Sequence, residues 1–102
     1  MIHGEVWWGE RPEAGRRPYL ILTRDRAIPV LQKVLVATVT RRVRDIPTEV
    51  PIDETDGMPQ ACAVALDDLG TVRKALLTQR ICRLSAARMV EVCVALRLAT
   101  SC

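Results

Sequence analysis

Lys33-Val-Leu-Val-Ala-Thr-Val-Thr40 decides the fold: an unbroken run without Gly or Pro, dominated by Val and Thr, whose branched side chains suit a pleated strand. Its apolar residues are nearly continuous rather than alternating, which predicts a central strand covered on both faces. Outward toward the N-terminus, Tyr19-Leu-Ile-Leu-Thr23 predicts a second strand and Glu5-Val-Trp-Trp8 a short first one, closed by Gly9. Gly9 to Pro18 contains two Gly and two Pro, which predicts a loop continuing neither ladder. Thr23 to Pro29 predicts a polar connection with one helical turn. Outward toward the C-terminus, Thr48–Ile52 and Ala61–Leu66 are predicted strands separated by the acidic turn Asp53–Gly57, and Gly70–Val72 and Arg80–Leu84 follow. The result is a mainly β (α+β) chain of about six short strands, spaced as in a small barrel or rolled sheet. After Ser85, a predicted N-cap, the period changes: Met89, Val92, Cys93 and Leu96 recur at helical spacing over about 13 residues. Arg88 at the third helical position leaves no full capping box, and the Val residues lower helix propensity, so docking on the sheet must stabilise this helix.

A length of 102 residues predicts one domain, residues 1–102, and 49% hydrophobic against 26% charged residues argues against intrinsic disorder. No apolar run approaches the roughly 20 residues needed to cross a bilayer, and the N-terminus lacks a basic stretch followed by an apolar one, so a soluble cytoplasmic protein is expected, with no membrane partner. Cys62, Cys82, Cys93 and Cys102 form no CxxC, and His3 is the only histidine, so no metal site is expected. The cysteines read as reduced thiols, with Cys93 in the core and Cys102 loose at the terminus; a Cys62–Cys82 disulfide is the disfavoured alternative. The formal charge of +3 conceals a pattern. Residues 1–45 carry +4, residues 46–70 carry −6 and residues 71–102 carry +5. All bases but Lys33 and Lys74 are Arg, whose planar fork suits phosphate; a GC-rich genome explains the same bias, and the two readings are compatible.

The familiar catalytic motifs GxSxG, Walker A and GxGxxG are absent, which leaves Arg, Asp, Thr and Ser as the available chemistry. Arg16-Arg17-Pro18 places two guanidinium groups at a rigid loop-to-strand junction; the plainer reading is a solvated surface pair. Thr40 puts a hydroxyl where the central strand meets the basic run Arg41-Arg42-Val43-Arg44; the plainer reading is a strand end. Asp67-Asp68 follows an apolar strand, where acids most often serve a turn. Trp7 and Trp8 must point to opposite faces, one toward the core and the other free to stack a base or partner.

Taken in order, Gly4-Glu-Val-Trp7, Gly15-Arg-Arg-Pro18, a strand ending in Thr40 before basic residues, Leu66-Asp67 followed by Thr71-Val72, and Leu84-Ser85 before Met89 resemble the MazF/PemK/Kid family of toxin–antitoxin endoribonucleases. The resemblance runs from Gly4 to Leu98, and the Arg-rich form looks like its actinobacterial, especially mycobacterial, branch. It implies an SH3-like barrel with a C-terminal helix, a homodimer, and sequence-specific cleavage of single-stranded RNA (mRNA, rRNA or tRNA) that requires neither metal nor cofactor. It also implies a cognate MazE-like antitoxin whose acidic, disordered tail suits the two basic ends of the chain. By the same resemblance Arg17 and Thr40 are catalytic and Asp67 is a further contributor. Where the family often has Gln-x-Arg-Thr-Ile-Asp, this chain reads Asp68-Leu-Gly-Thr-Val-Arg73, and Ala65 stands where some members have a second Arg; both departures bear on which RNA is preferred. Arg16, Arg41, Arg42 and Arg44 are expected on phosphates and Trp7 or Trp8 on a base, with the acidic middle facing away. Two other readings stay open: a CcdB-like gyrase-binding toxin, disfavoured because no aromatic ends the helix, and a non-catalytic RNA- or ribosome-binding module of the same fold.

Overall fold

The computed structural model describes all 102 residues. Six strands, β1 (Glu5–Arg11), β2 (Gly15–Ile21), β3 (Lys33–Thr40), β4 (Glu49–Ile52), β5 (Cys62–Arg73) and β6 (Leu77–Arg83), precede one helix, α1 (Ala86–Thr100). They form one antiparallel sheet in the order β4-β5-β3-β2-β1-β6. The sheet curls until its two edges approach: Gly57, just after β4, stands so close to Cys82 on β6 that an added Cβ would lie 2.8 Å from the Cys82 Cβ. It remains a rolled sheet with edges at β4 and β6, since no ladder joins them.

β3 spans the residues predicted for it, and it is internal to the sheet. Its burial differs along its length. Lys33 and Leu35 are exposed while Val34 and Val36 are buried, so the first half alternates; only Val36 to Val39 is covered on both faces. The N-terminal hairpin departs further from expectation. β1 continues through Gly9 to Arg11, and β2 already begins at Gly15, so only Pro12-Glu13-Ala14 is a loop. Gly9 lies within the ladder because an added Cβ would stand 2.8 Å from the Tyr19 ring, and only a residue without a side chain lets that ring cross the strand. Pro18 is tolerated opposite Trp8 because the β2–β3 ladder starts only at Tyr19 and leaves Pro18 on a locally open edge.

The predicted strands 61–66 and 70–72 are one long strand, β5, carrying an irregularity. Ala37 faces Leu69 but Thr38 faces Ala65, so Leu66, Asp67 and Asp68 are extruded as a bulge. This bend lets one strand serve two apolar clusters. The larger cluster gathers Val6, Leu20, Val39, Val64 and Leu66 with Val92 and Ala95 of α1; the smaller gathers Tyr19, Ile21, Val34, Val36, Val72 and Leu77. Between β4 and β5, Asp53 caps a 3-10 turn (Glu54–Asp56), and Asp56 accepts a 2.9 Å bond from Nε of Arg88 on α1.

Ser85 caps α1 as predicted, accepting from the Arg88 amide. The helix is longer than predicted and its buried face is displaced: Val92 and Ala95 are buried, Met89, Leu96 and Ala99 pack beside them, and Cys93 is exposed. Cys93 therefore lies outside the core. All four cysteines are free thiols, with Cys62 and Cys82 buried. Burial pushes the Cys62 thiol up to about 11. No helix is long and apolar enough to cross a membrane.

Candidate active site

The β2–β3 ladder ends at Tyr19 opposite Thr38. Continuing that register by two residues would set Arg17 opposite Thr40, but the strands have parted there. A cleft of about 350 Å³ opens at the parting, lined by Trp8, Arg16, Arg17, Pro18, Val39, Thr40, Arg41 and Arg42, together with Met58, Pro59, Gln60 and Cys62. Residues far apart in sequence meet here because the hairpin and the central strand diverge at the same level of the sheet.

Four guanidinium groups border the cleft and no carboxylate does. Arg17, Arg41 and Arg42 have no carboxylate oxygen within 4.0 Å of their side chains, as is true of most arginines of the chain, only Arg11, Arg44, Arg80 and Arg88 being paired; what sets the three apart is that they share one cavity. Three unneutralised forks around one cavity form a site for an anion with several oxygens, and phosphate matches it. The Thr40 hydroxyl oxygen accepts a 3.1 Å bond from the Arg42 amide. That bond fixes the oxygen and leaves the hydroxyl proton free to be donated into the cleft. Trp8 is half-buried at the rim with the Arg16 guanidinium above its ring, 4.5 Å from ring carbon centroid to guanidinium carbon.

A family model described as PemK-like, MazF-like toxin of type II toxin-antitoxin system matches residues 3–100. The chain belongs to the PemK/MazF toxin family. Among its relatives, Probable endoribonuclease MazF5 of Mycobacterium tuberculosis is 44% identical over 100 residues, an alignment covering 97% of this chain and 92% of that protein. Probable endoribonuclease MazF2 of the same organism is 36% identical over 103 residues, across the whole of both chains. Among solved structures, Mycobacterium tuberculosis toxin MazF-mt6 matches with a TM-score of 0.88 at 32% identity, over 95% of this chain and 96% of that one. The rolled six-stranded sheet with one C-terminal helix is thus the fold of the PemK/MazF toxins.

Within this family member, Trp8, Arg16, Arg17, Thr40, Arg41 and Arg42 come together, and three other expected residues lie elsewhere. Asp67 sits in the β5 bulge, where it accepts a 2.5 Å bond from the Thr48 hydroxyl; Thr40 faces Ala63, on the other side of that bulge. Arg44 turns to Glu49: its amide donates to Oε1 at 2.9 Å, and its guanidinium lies 3.6 Å from Oε2. Trp7 points away from the cleft, and its indole donates to Glu5. The acidic middle segment keeps its carboxylates out of the lining, as expected, yet Met58, Pro59, Gln60 and Cys62 of the same segment form part of the wall. Those wall residues carried no signal in the sequence, because a neutral Pro59-Gln60 pair looks like any surface turn until the sheet curls over it.

Proposed function

We propose that this chain is the toxin of a type II toxin–antitoxin pair and acts as an endoribonuclease on single-stranded RNA, with Arg17 and Thr40 as its catalytic residues. The observation that carries the assignment is the meeting of Arg17 and Thr40 in a cleft whose other charged groups are all unneutralised or stacked arginines. RNA supplies its own nucleophile. Its 2′-oxygen attacks the adjacent phosphorus and gives up its proton to solvent water; the bond to the 5′-oxygen breaks, and that oxygen takes a proton from solvent. The products are a 2′,3′-cyclic phosphate and a 5′-hydroxyl. The enzyme must hold the in-line geometry and stabilise charge gathering on the phosphate oxygens. Arg17 donates two parallel hydrogen bonds to those oxygens, Thr40 donates one through its hydroxyl and keeps its proton, and Arg41 and Arg42 hold the neighbouring phosphates. Asp67 is left out of this scheme, since it borders the bulge rather than the cleft. The chemistry needs neither metal nor cofactor, because charge stabilisation comes from the arginines and the nucleophile from the substrate.

The relatives named endoribonuclease support the activity. An endoribonuclease from Mycobacterial species in complex with its cognate antitoxin shares the fold, with a TM-score of 0.89 at 24% identity. We extend to this chain a cognate MazE-like antitoxin, a homodimer and a cytoplasmic location. The decisive experiment incubates the purified chain with mixed single-stranded RNA in EDTA and maps the cut ends, with Arg17→Ala, Thr40→Val and Thr40→Ser in parallel. Cleavage at one repeated short motif, reduced about 10²- to 10³-fold in Arg17→Ala and Thr40→Val and largely kept in Thr40→Ser, is the expected result. Absence of cleavage by the wild-type chain would replace this reading with non-catalytic binding.

A further inference from the structure

Arg16 differs from the other arginines of the cleft. On the β1–β2 hairpin Trp8 faces Pro18 and Glu10 faces Arg16, so strand alternation puts Trp8 and Arg16 on one face, diagonally adjacent. The guanidinium lies over the indole, and its Nη2 donates a 3.0 Å bond to Oε1 of Gln79. Gln79 stands on β6 in register with Trp8. The planar group is therefore held from two directions, by a ring beneath it and by an amide at its edge. Its outer face is open, since Arg16 is exposed. Arg17, Arg41 and Arg42 have no such restraint.

We propose that Arg16 is the upper layer of a stacking platform for one nucleobase beside the scissile phosphate, with Trp8 as the lower layer and Gln79 as the positioning residue that keeps the guanidinium flat. This rests on the RNA-cleaving reading above and changes two of its details: the Trp8 ring is already covered, so a base meets it only through Arg16, and Arg16 is not a phosphate ligand. Guanidinium planes stack nucleobases much as aromatic rings do. Cation–π attraction and the Gln79 bond order the long side chain before RNA arrives, so less freedom is lost on binding. An ammonium has no plane, so Lys cannot substitute for Arg here.

The test uses a single-stranded RNA carrying the mapped cleavage motif, made non-cleavable by 2′-O-methylation at the cut nucleotide. Versions with one abasic site at each flanking position are titrated against wild-type chain, Arg16→Lys and Gln79→Leu by fluorescence anisotropy. Wild type is expected to lose roughly tenfold in affinity for one abasic position, the loss of a stacked base. Arg16→Lys abolishes that penalty and Gln79→Leu reduces it, while the penalties elsewhere stay unchanged. An equal abasic penalty in all three proteins, or uniform weakening of Arg16→Lys on every RNA as for a lost phosphate contact, overturns the platform and spares the nuclease. A wild-type chain that cuts no RNA overturns both. If Gln79→Leu does not fold, Arg16→Lys carries the test alone.

Discussion

A single missing side chain at Gly9 shapes the hairpin that carries half of the cleft. Gly9 pairs with Arg17 on one side and Leu77 on the other, and the Tyr19 ring lies across it. Tyr19 is buried and its ring is rigid, so a methyl group at position 9 forces the ring or the strand to move. Gly9→Ala is expected to lower stability by about 1–3 kcal/mol, read as a reduced urea midpoint with an unchanged m-value. The same residue shows a limit of sequence reading. A glycine after two tryptophans looks like the end of a strand, and only the three-dimensional approach of Tyr19 reveals that it belongs inside one. The meeting of Arg17 and Thr40 at one cleft was legible for a different reason: Arg17 precedes an apolar run and Thr40 ends one, and their order along the chain carries the family pattern. Asp67 was not legible, because a bulge in β5 leaves no mark in composition and turns its carboxylate toward Thr48.

At the scale of elements, β1 is fastened to β6 through a buried carboxylate. Glu5 accepts from the Ile2 amide, the Trp7 indole and the Arg80 guanidinium. Burial alone would push its carboxyl up; the three hydrogen bonds, joined by the charge of Arg80, outweigh that and hold it below its ordinary value of 4.5. A depressed folded-state value fixes the sign. The stabilisation is fully present above pH 4.5 and is lost as pH falls through the lowered value. Urea titrations of wild type and Glu5→Gln across the acid range check this. Wild type is expected to lose stability with falling pH in that window, and Glu5→Gln to be less stable by roughly 2 kcal/mol at neutral pH with a flatter acid profile. Strand positions near β3 were readable because Val and Thr run unbroken there. The helix was readable as an element, and three residues of its predicted face, Met89, Val92 and Leu96, do pack on the core, but Cys93 does not and Ala95 takes its place. Val90, Val94 and Leu98 are apolar and exposed, so the wheel has no clean polar side, and Cys93 appears interchangeable with Ala95 until packing chooses.

Across the whole molecule, the charge pattern in sequence becomes a pattern in space. Arg17, Arg41 and Arg42 come from the basic first part of the chain and meet at one cleft, while Asp53 and Asp56 of the acidic middle are spent on capping a 3-10 turn and on Arg88. RNA affinity should therefore fall with salt in proportion to the phosphates these groups hold, each contributing about −0.7 to the slope of log affinity against log salt concentration. Arg42→Ala is expected to reduce that slope by about 0.7. Arg44→Ala, whose guanidinium faces Glu49 outside the cleft, should leave it unchanged. Binding isotherms at a series of salt concentrations separate the two. The two apolar clusters have a consequence of another kind. β3 gives Val34 and Val36 to one and Ala37 and Val39 to the other, and β5 likewise gives Val72 to one and Val64 and Leu66 to the other. Opening either cluster pulls on the two strands that also carry the other, so the clusters are mechanically coupled. A chain with two hydrophobic centres is therefore expected to show one melting event, and the cleft, which opens where the hairpin parts from β3, to be lost with it rather than to loosen first.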